Sequence, residues 1–122
     1  MILAAKKSGC NAVKFQSFTP EKLISSDDKD RLERLRKFSL SYENLNELSK
    51  LAHKNGLHFF STPATEDWVE TTAKLSDAMK IASGDIDFKP TLISAAKSGK
   101  KIILSTGMSN MEDIDCALKG LG

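Results

Sequence analysis

The chain has 122 residues, enough for one domain at most, and its composition is that of an ordinary globular protein. Eighteen basic and sixteen acidic residues give a formal net charge of +2, which is too small and too evenly scattered to favour nucleic acid as a partner. The two distant cysteines, Cys10 and Cys116, favour neither a disulfide nor a zinc site. No apolar run approaches the roughly 20 residues that cross a bilayer. We therefore expect a cytoplasmic protein.

The predicted elements alternate between strands and helices. Residues 1–7 resemble the last turns of a helix that ends at Gly9, so the chain is expected to begin inside an element. Apolar runs of strand length, flanked by turn residues, follow at residues 12–16, 57–62, 78–82 and 101–105. After the second run the strands recur at roughly 20-residue intervals, the spacing of a strand plus a crossover helix. The pattern predicts a parallel α/β fold.

Helical periodicity fills the segments between these runs. Leu45, Leu48, Leu51 and Ala52 share one face, with Ser41 as the N-cap and Gly56 as the end of the helix. Later helices are expected to begin near Thr65 or Glu66, at Pro90 before the stop at Gly99, and at Asn110 or Met111.

The long connection at residues 18–40 is charged and weakly periodic. Residues 27–38 are expected to form a polar helix with Leu32 and Leu35 as its apolar stripe. A connection of this length after a strand is more often functional than idle.

Two lysines are predicted to share the inner face of the sheet. Alternation places Lys14 with Gln16 on one face of the first strand, and Lys80 with Ala82 on the same face of the third. A buried ammonium group without an anionic partner is costly. Each lysine is therefore expected to meet either a bound anion or a protein carboxylate, and the residues alone leave both open.

Small polar residues follow the third and fourth strands directly. Ser83-Gly84-Asp85 and Ser105-Thr106-Gly107 place hydroxyls and free backbone N–H groups at strand ends, which suits an anionic ligand. Either segment alone is also an ordinary turn.

The histidines and methionines favour structural roles. His53 and His58 have no metal-ligand spacing, and His53 near a helix end is expected to be solvated. Met108 and Met111 are expected in the core.

Taken in order, four motifs resemble the N-acetylneuraminate (sialic acid) synthase family. They are Val13-Lys14-Phe15-Gln16, Ser61-Thr62-Pro63, Lys80-Ile81-Ala82-Ser83-Gly84-Asp85 and Ser105-Thr106-Gly107-Met108. The resemblance implies condensation of phosphoenolpyruvate with an N-acylated amino sugar, such as N-acetylmannosamine, to a nine-carbon keto acid and phosphate. It also implies a divalent metal, manganese or magnesium, that polarises the sugar aldehyde. The implied fold is a (β/α)8 barrel followed by an antifreeze-like domain in a domain-swapped dimer.

By the same resemblance, each motif residue acquires an expected role. Lys14 and Lys80 would contact phosphoenolpyruvate, and its cradle would be completed by Ser83, Ser105, Thr106 and Gly107. The expected catalytic centre consists of Gln16, Thr62 and Asp85. Asp85 stands where many members have glutamate, and Ala64-Thr65 replaces the Phe-Asp that often follows the proline on the sugar side. The family's metal-binding histidines fall outside the chain, so no metal is expected to bind this chain alone.

The expected architecture is a partial (β/α)8 barrel of about four parallel strands with flanking helices. Residues 1–122 would be a fragment of the barrel domain, with the first strand and the later strands outside it. Its open strand edges should favour self-association or pairing with a complementary chain.

The sequence is compatible with three functions. The first is a sialic-acid-type synthase, inactive as an isolated fragment. The second is a Schiff-base aldolase with Lys14 or Lys80 as the nucleophile. The third is a non-catalytic remnant or a subunit of a split barrel.

Overall fold

The computed structural model describes residues 1–122 as four parallel strands flanked by helices. The strands are β1 (Ala12–Ser17), β2 (His58–Pro63), β3 (Ala78–Ile81) and β4 (Ile102–Leu104). The helices are α1 (Ile2–Lys7), α2 (Pro20–Leu23), α3 (Lys29–Phe38), α4 (Tyr42–Lys54), α5 (Val69–Leu75), α6 (Lys89–Lys97) and α7 (Met111–Leu121). Short 3-10 turns occur at Glu66–Trp68 and Ser83–Asp85. The strands lie side by side in chain order, which confirms a parallel α/β fold of the partial (β/α)8-barrel type.

Helix boundaries follow local capping chemistry. The Ser41 hydroxyl accepts a hydrogen bond from the Asn44 N–H and so begins α4, as predicted. Asn110 begins α7 with a capping box, in which its side chain and that of Asp113 accept from each other's backbone N–H. Gly99 ends the α6 region with φ of 66°, a conformation that glycine adopts without steric cost. None of the helices has the length and apolar character needed to cross a membrane.

Two connections differ from the sequence-based expectation. The helix expected over 27–38 begins at Lys29, because the Asp28 side chain accepts from the Arg31 N–H and caps it there. The short helix α2 was not predicted. A single turn that begins at Pro20 leaves no periodic apolar pattern. Likewise, the segment after β2 starts as a 3-10 turn and becomes α-helical only at Val69.

The core lies between the sheet and the helices. Phe59, Met79 and Ile81 are completely buried on the helix-facing side of the strands. One apolar cluster joins β3 to α5, α6 and α7, and a second joins β2 to α1 and α4. This confirms the predicted alternation in β3, because Met79 and Ile81 face the helices while Lys80 faces the other side.

Three apolar residues that were assigned to packed faces lie in solvent. Met108 and Met111 are 101% and 70% exposed, and Leu51 is 40% exposed. Met108 also adopts φ of 60° in the loop after β4, a left-handed conformation that is uncommon for residues other than glycine. Periodicity identified the face of α4 correctly, but Leu51 lies at its margin.

At the amino-terminal end of the sheet, Asp77 binds two histidines and a backbone amide. His53 Nε2 lies 3.1 Å from Asp77 Oδ2, His58 Nδ1 lies 3.2 Å from it, and the Phe59 N–H donates to it at 2.9 Å. His53 is exposed, as predicted, but the sequence did not indicate its contact with Asp77. Burial alone would raise the pKa of Asp77, but the hydrogen bonds from Phe59, His53 and His58 outweigh it and lower that pKa.

Candidate functional site

The predicted site residues meet on the inner face of the sheet, near the carboxyl ends of the strands. Gln16 of β1 pairs in register with Thr62 of β2. The register of β2 with β3, continued by one residue, places Thr62 beside Lys80, which in turn pairs with Ile103. One row across the four strands, which we call the lysine row, is therefore formed by Gln16, Thr62, Lys80 and Ile103. Because paired residues of parallel strands point to the same face, these side chains share one surface.

Lys14 lies one step nearer the amino ends of the strands, on the same face. It pairs in register with Phe60, and its side chain is exposed. Its positive charge is close enough to Lys80 to contribute to the lowered pKa of Lys80. The structure therefore brings the two predicted lysines together, although they come from strands separated by β2.

Lys80 is held as an unpaired ammonium group. Its Nζ donates a hydrogen bond of 2.7 Å to the carbonyl oxygen of Ile81, and none of the ion pairs in the chain involves Lys80 or Lys14. Burial lowers the pKa of Lys80 most, the like charge of Lys14 lowers it further, and Asp85 acts in the opposite direction. Within this chain, no carboxylate meets the lysines as a direct ion-pair partner.

Asp85 lies in the 3-10 turn that follows β3 and is half-buried. Burial raises the pKa of its carboxyl, and the negative charge of Asp87 raises it further, whereas Lys80 lowers it. A carboxyl group with this environment is easier to protonate than an ordinary aspartate. It therefore suits proton transfer at the edge of the lysine row.

The loops after β3 and β4 touch each other at Ser83 and Gly107. A Cβ built on Gly107 would stand 3.3 Å from the Ser83 hydroxyl oxygen. Ser105 is tied to the same place, because its N–H donates to the Ile81 carbonyl at 3.1 Å. Ser105 is half-buried and Thr106 is exposed. The four residues expected to form the cradle are thus neighbours, with Thr106 at its outer rim.

Thr62 carries a buried hydroxyl with no hydrogen-bond partner. The residue is 3% exposed, and its Oγ1 meets no donor or acceptor in the chain. Leaving such a group unpaired costs about 1–3 kcal/mol. Thr62 lies between Gln16 and Lys80 in the row, so this unpaired hydroxyl belongs to the same part of the sheet as the lysines.

A groove of about 1200 Å³ lies elsewhere. It runs between α5 and α6 on the helix side, and it shares Asp85 with the site while Lys97 and Lys100 line its other end. Its lining mixes basic with acidic side chains, so its volume alone does not indicate a ligand. The inner face of the sheet, by contrast, holds the two lysines that have no ion-pair partner in the chain. We therefore place the candidate site on the inner face.

No residues of the chain are arranged for a metal ion. No group of three or more His, Cys, Asp or Glu side chains could hold one. His53 and His58 lie at the amino-terminal end of the sheet, the end opposite the lysine row. The residues present therefore do not fit the divalent metal that the resemblance implies, and we derive no chemical step through it.

The sequence interpretation missed two polar clusters. One is the Asp77 group at the amino ends of the strands. The other surrounds Asp67 in the loop after β2, where Thr19 and Lys22 reach it from the loop after β1. Trp68 offered one usable signal, because a partly buried indole N–H usually needs an acceptor, and here that acceptor is the Thr19 hydroxyl at 3.2 Å.

Comparison with known proteins agrees with this geometry. Residues 1–121 match the NeuB family. The chain belongs to the NeuB family. It is 43% identical over 122 residues to an uncharacterised protein of Methanocaldococcus jannaschii, and the match covers 99% of the chain and 36% of that protein. It is 36% identical over 135 residues to the N,N'-diacetyllegionaminic acid synthase of Campylobacter jejuni, covering 99% of the chain and 40% of that enzyme.

A solved structure extends the likeness to three dimensions. The sialic acid synthetase of Leptospira borgpetersenii, in complex with citrate, superposes with a TM-score of 0.92 at 27% identity. The match covers 99% of this chain and 42% of that one. The NeuB chain described here thus spans less than half the length of the relatives and the structure that it matches.

Proposed function

We propose that this NeuB chain provides the phosphoenolpyruvate-binding part of a sialic-acid-type synthase. The reaction would condense phosphoenolpyruvate with an N-acylated amino sugar, such as N-acetylmannosamine, to a nine-carbon keto acid and phosphate. One observation carries the proposal: Lys14 and Lys80 share the inner face, and no carboxylate of the chain pairs with either. Two adjacent ammonium groups without a carboxylate partner attract an anion.

Each site residue has a role under this proposal. Lys14 and Lys80 neutralise the phosphate or carboxylate of phosphoenolpyruvate. The hydroxyls and backbone N–H groups that complete the cradle belong to Ser83, Ser105, Thr106 and Gly107. At the reacting centre, the Thr62 hydroxyl and the Gln16 amide orient the ligand, and Asp85 holds or releases a proton.

We propose a divalent metal only for the longer relatives, not for this chain alone. When bound there, it would polarise the sugar aldehyde. The purified 122-residue chain is therefore expected to show no synthase turnover with phosphoenolpyruvate, N-acetylmannosamine and manganese. Turnover by a contaminant-free preparation would contradict this expectation.

Calorimetric titration with phosphoenolpyruvate tests the proposal. The wild-type chain should bind it, and the double variant Lys14→Met/Lys80→Met should not, while a Lys50→Met variant should bind like wild type. Lys50 is a suitable control because it is an exposed lysine paired with Glu47 on α4. Equal binding by the wild type and the double variant would remove the lysines from the site.

The Schiff-base aldolase is the second candidate, and the electrostatics of Lys80 favour it. An amine whose pKa is lowered by burial and by a neighbouring cation is a better nucleophile at neutral pH. Borohydride reduction in the presence of pyruvate would attach a three-carbon group to Lys80 if an imine forms. The synthase proposal predicts no such adduct in the mass spectrum.

A further inference from the structure

The connection after β1 is tied to the connection after β2 by four polar contacts outside the candidate site. The Thr19 hydroxyl donates to Asp67 Oδ2, and the Trp68 indole N–H donates to that hydroxyl at 3.2 Å. The Thr19 N–H donates to Thr65 Oγ1 at 3.0 Å. Lys22 Nζ completes the group at 3.5 Å from Asp67 Oδ2. Asp67 alone therefore holds two residues of the preceding connection.

These contacts extend the pairing of β1 with β2 past the ends of the strands. The Ala64 N–H donates to the Ser17 carbonyl at 2.8 Å, directly after the paired residues Gln16 and Thr62. Thr19 comes two residues later and is fixed on the same loop. Gln16 thus lies in the chain between the paired residues of β1 and the segment that Asp67 contacts.

The same contacts bring α2 to a groove that a residue of the site also lines. Lys22 and Leu23 of α2 line the groove that Asp85 and Phe88 line from the loop after β3. The chain after β1 therefore passes the end of β2 and lines the same groove as Asp85. Apart from the ion pair of Glu21 with Arg36 of α3, α2 makes its charged contact through Asp67.

We infer that Asp67 is a positioning residue of the candidate site, which fixes the connection after β1 through Thr19 and Lys22 and so holds Gln16 beside Thr62. The inference deepens the proposed function and rests on it for the identity of the ligand. No hydrogen bond or ion pair joins Asp67 to Gln16, Thr62 or Lys80, so its effect on them passes through its partners in the connection, Thr19 and Lys22.

Three variants test the inference by amide exchange and by phosphoenolpyruvate titration. Asp67→Ala removes both contacts, and Asp67→Asn keeps an oxygen that accepts from the Thr19 hydroxyl. Glu70→Ala is the matched control, because Glu70 is an exposed carboxylate three residues along the same segment and pairs with Lys74 instead.

In Asp67→Ala we expect the Thr19 and Ala64 amides to exchange about tenfold faster and the Kd for phosphoenolpyruvate to rise about three- to tenfold. Asp67→Asn should restore most of the slow amide exchange and most of the ligand affinity. Glu70→Ala should match wild type in its exchange rates and in its Kd. A purely structural role would lower the melting temperature of Asp67→Ala without this rescue pattern in ligand affinity.

The outcomes distinguish the anchoring of the connection by Asp67 from its effect on the ligand site. Unchanged exchange at Thr19 and Ala64 in Asp67→Ala overturns the anchoring. Faster exchange with an unchanged Kd overturns the positioning of the site. If the wild-type chain binds no phosphoenolpyruvate while exchange accelerates as expected, the proposed function fails and the anchoring of the connection is supported.

Discussion

Gly107 lies against the side chain of Ser83, so that a methyl group on the glycine would stand 3.3 Å from the serine hydroxyl oxygen. This contact joins the loop after β4 to the loop after β3. A Cβ at position 107 would require the Ser83 side chain to shift by a few tenths of an ångström. A Cβ there would press on a hydroxyl that the proposed function assigns to the anion cradle.

Gly107→Ala should therefore weaken phosphoenolpyruvate binding by displacing the Ser83 hydroxyl by a few tenths of an ångström. Loss of one hydrogen bond of ordinary strength, about 0.5–1.5 kcal/mol, corresponds to about a two- to twelvefold rise in Kd. The control is Gly84→Ala, because a Cβ on Gly84 meets nothing within 4 Å. Equal affinity of the two variants in calorimetry would show that the contact has no part in binding.

Single replacement of either inward lysine should act on the ligand more than on stability. A charge-assisted contact is worth about 1.5–3 kcal/mol, so Lys14→Met and Lys80→Met should each raise the Kd for phosphoenolpyruvate about ten- to a hundredfold. Their melting temperatures should stay near wild type, because neither lysine has an ion-pair partner in the chain. Normal affinity with a lowered melting temperature would assign the lysines a structural role instead.

The Asp77 cluster should stabilise the chain in a pH-dependent way. The pKa of Asp77 is lowered on folding from 3.8, so the unfolded chain binds this proton more readily than the folded one. The contribution is therefore fully present above pH 3.8 and is lost as the pH falls through the lowered folded value. Urea unfolding of wild type and Asp77→Asn should differ at pH 6 and converge toward pH 2.

A matched variant checks that the loss of stability at low pH comes from the Asp77 cluster. Asp115→Asn removes an exposed carboxylate of α7 that has no hydrogen bond or ion pair. It should unfold like wild type at both pH values. A gap between wild type and Asp77→Asn that persists unchanged at pH 2 would contradict the assignment.

The isolated chain should self-associate. β1 and β4 are the edges of the sheet, and Ile103 of β4 is 44% exposed on the inner face. An unpaired strand edge beside exposed apolar side chains offers a surface that a second copy can cover. Light scattering should give a mass well above the 13.4 kDa of one chain, and a monodisperse monomer would refute this expectation.

Local chemistry made much of the fold predictable. Strand runs, the Ser41 cap and the stop at Gly99 depend on neighbours within a few residues, so the sequence shows them directly. Alternation also placed Lys14 and Lys80 on one face. The roles of the site residues came from the family resemblance, because periodicity does not distinguish a ligand-binding lysine from one in an ion pair.

What the sequence did not show depends on contacts between distant segments. Thr19 and Asp67 are 48 residues apart, and His53 meets Asp77 across 24 residues. No local pattern encodes such pairs. Met108 and Met111 were misplaced for a related reason, since an apolar side chain indicates a face but not whether another element covers it.

The location of the ligand is the central claim, and NMR titration of the isotope-labelled chain with phosphoenolpyruvate tests it most directly. We predict that the largest shifts occur at the inner face and its rim, at Lys14, Lys80, Ser83 and Ser105. Resonances of Lys97, Ser98 and Lys100 in the groove between α5 and α6 should stay in place. Saturable shifts confined to that groove, with the lysine row unaffected, would contradict the account.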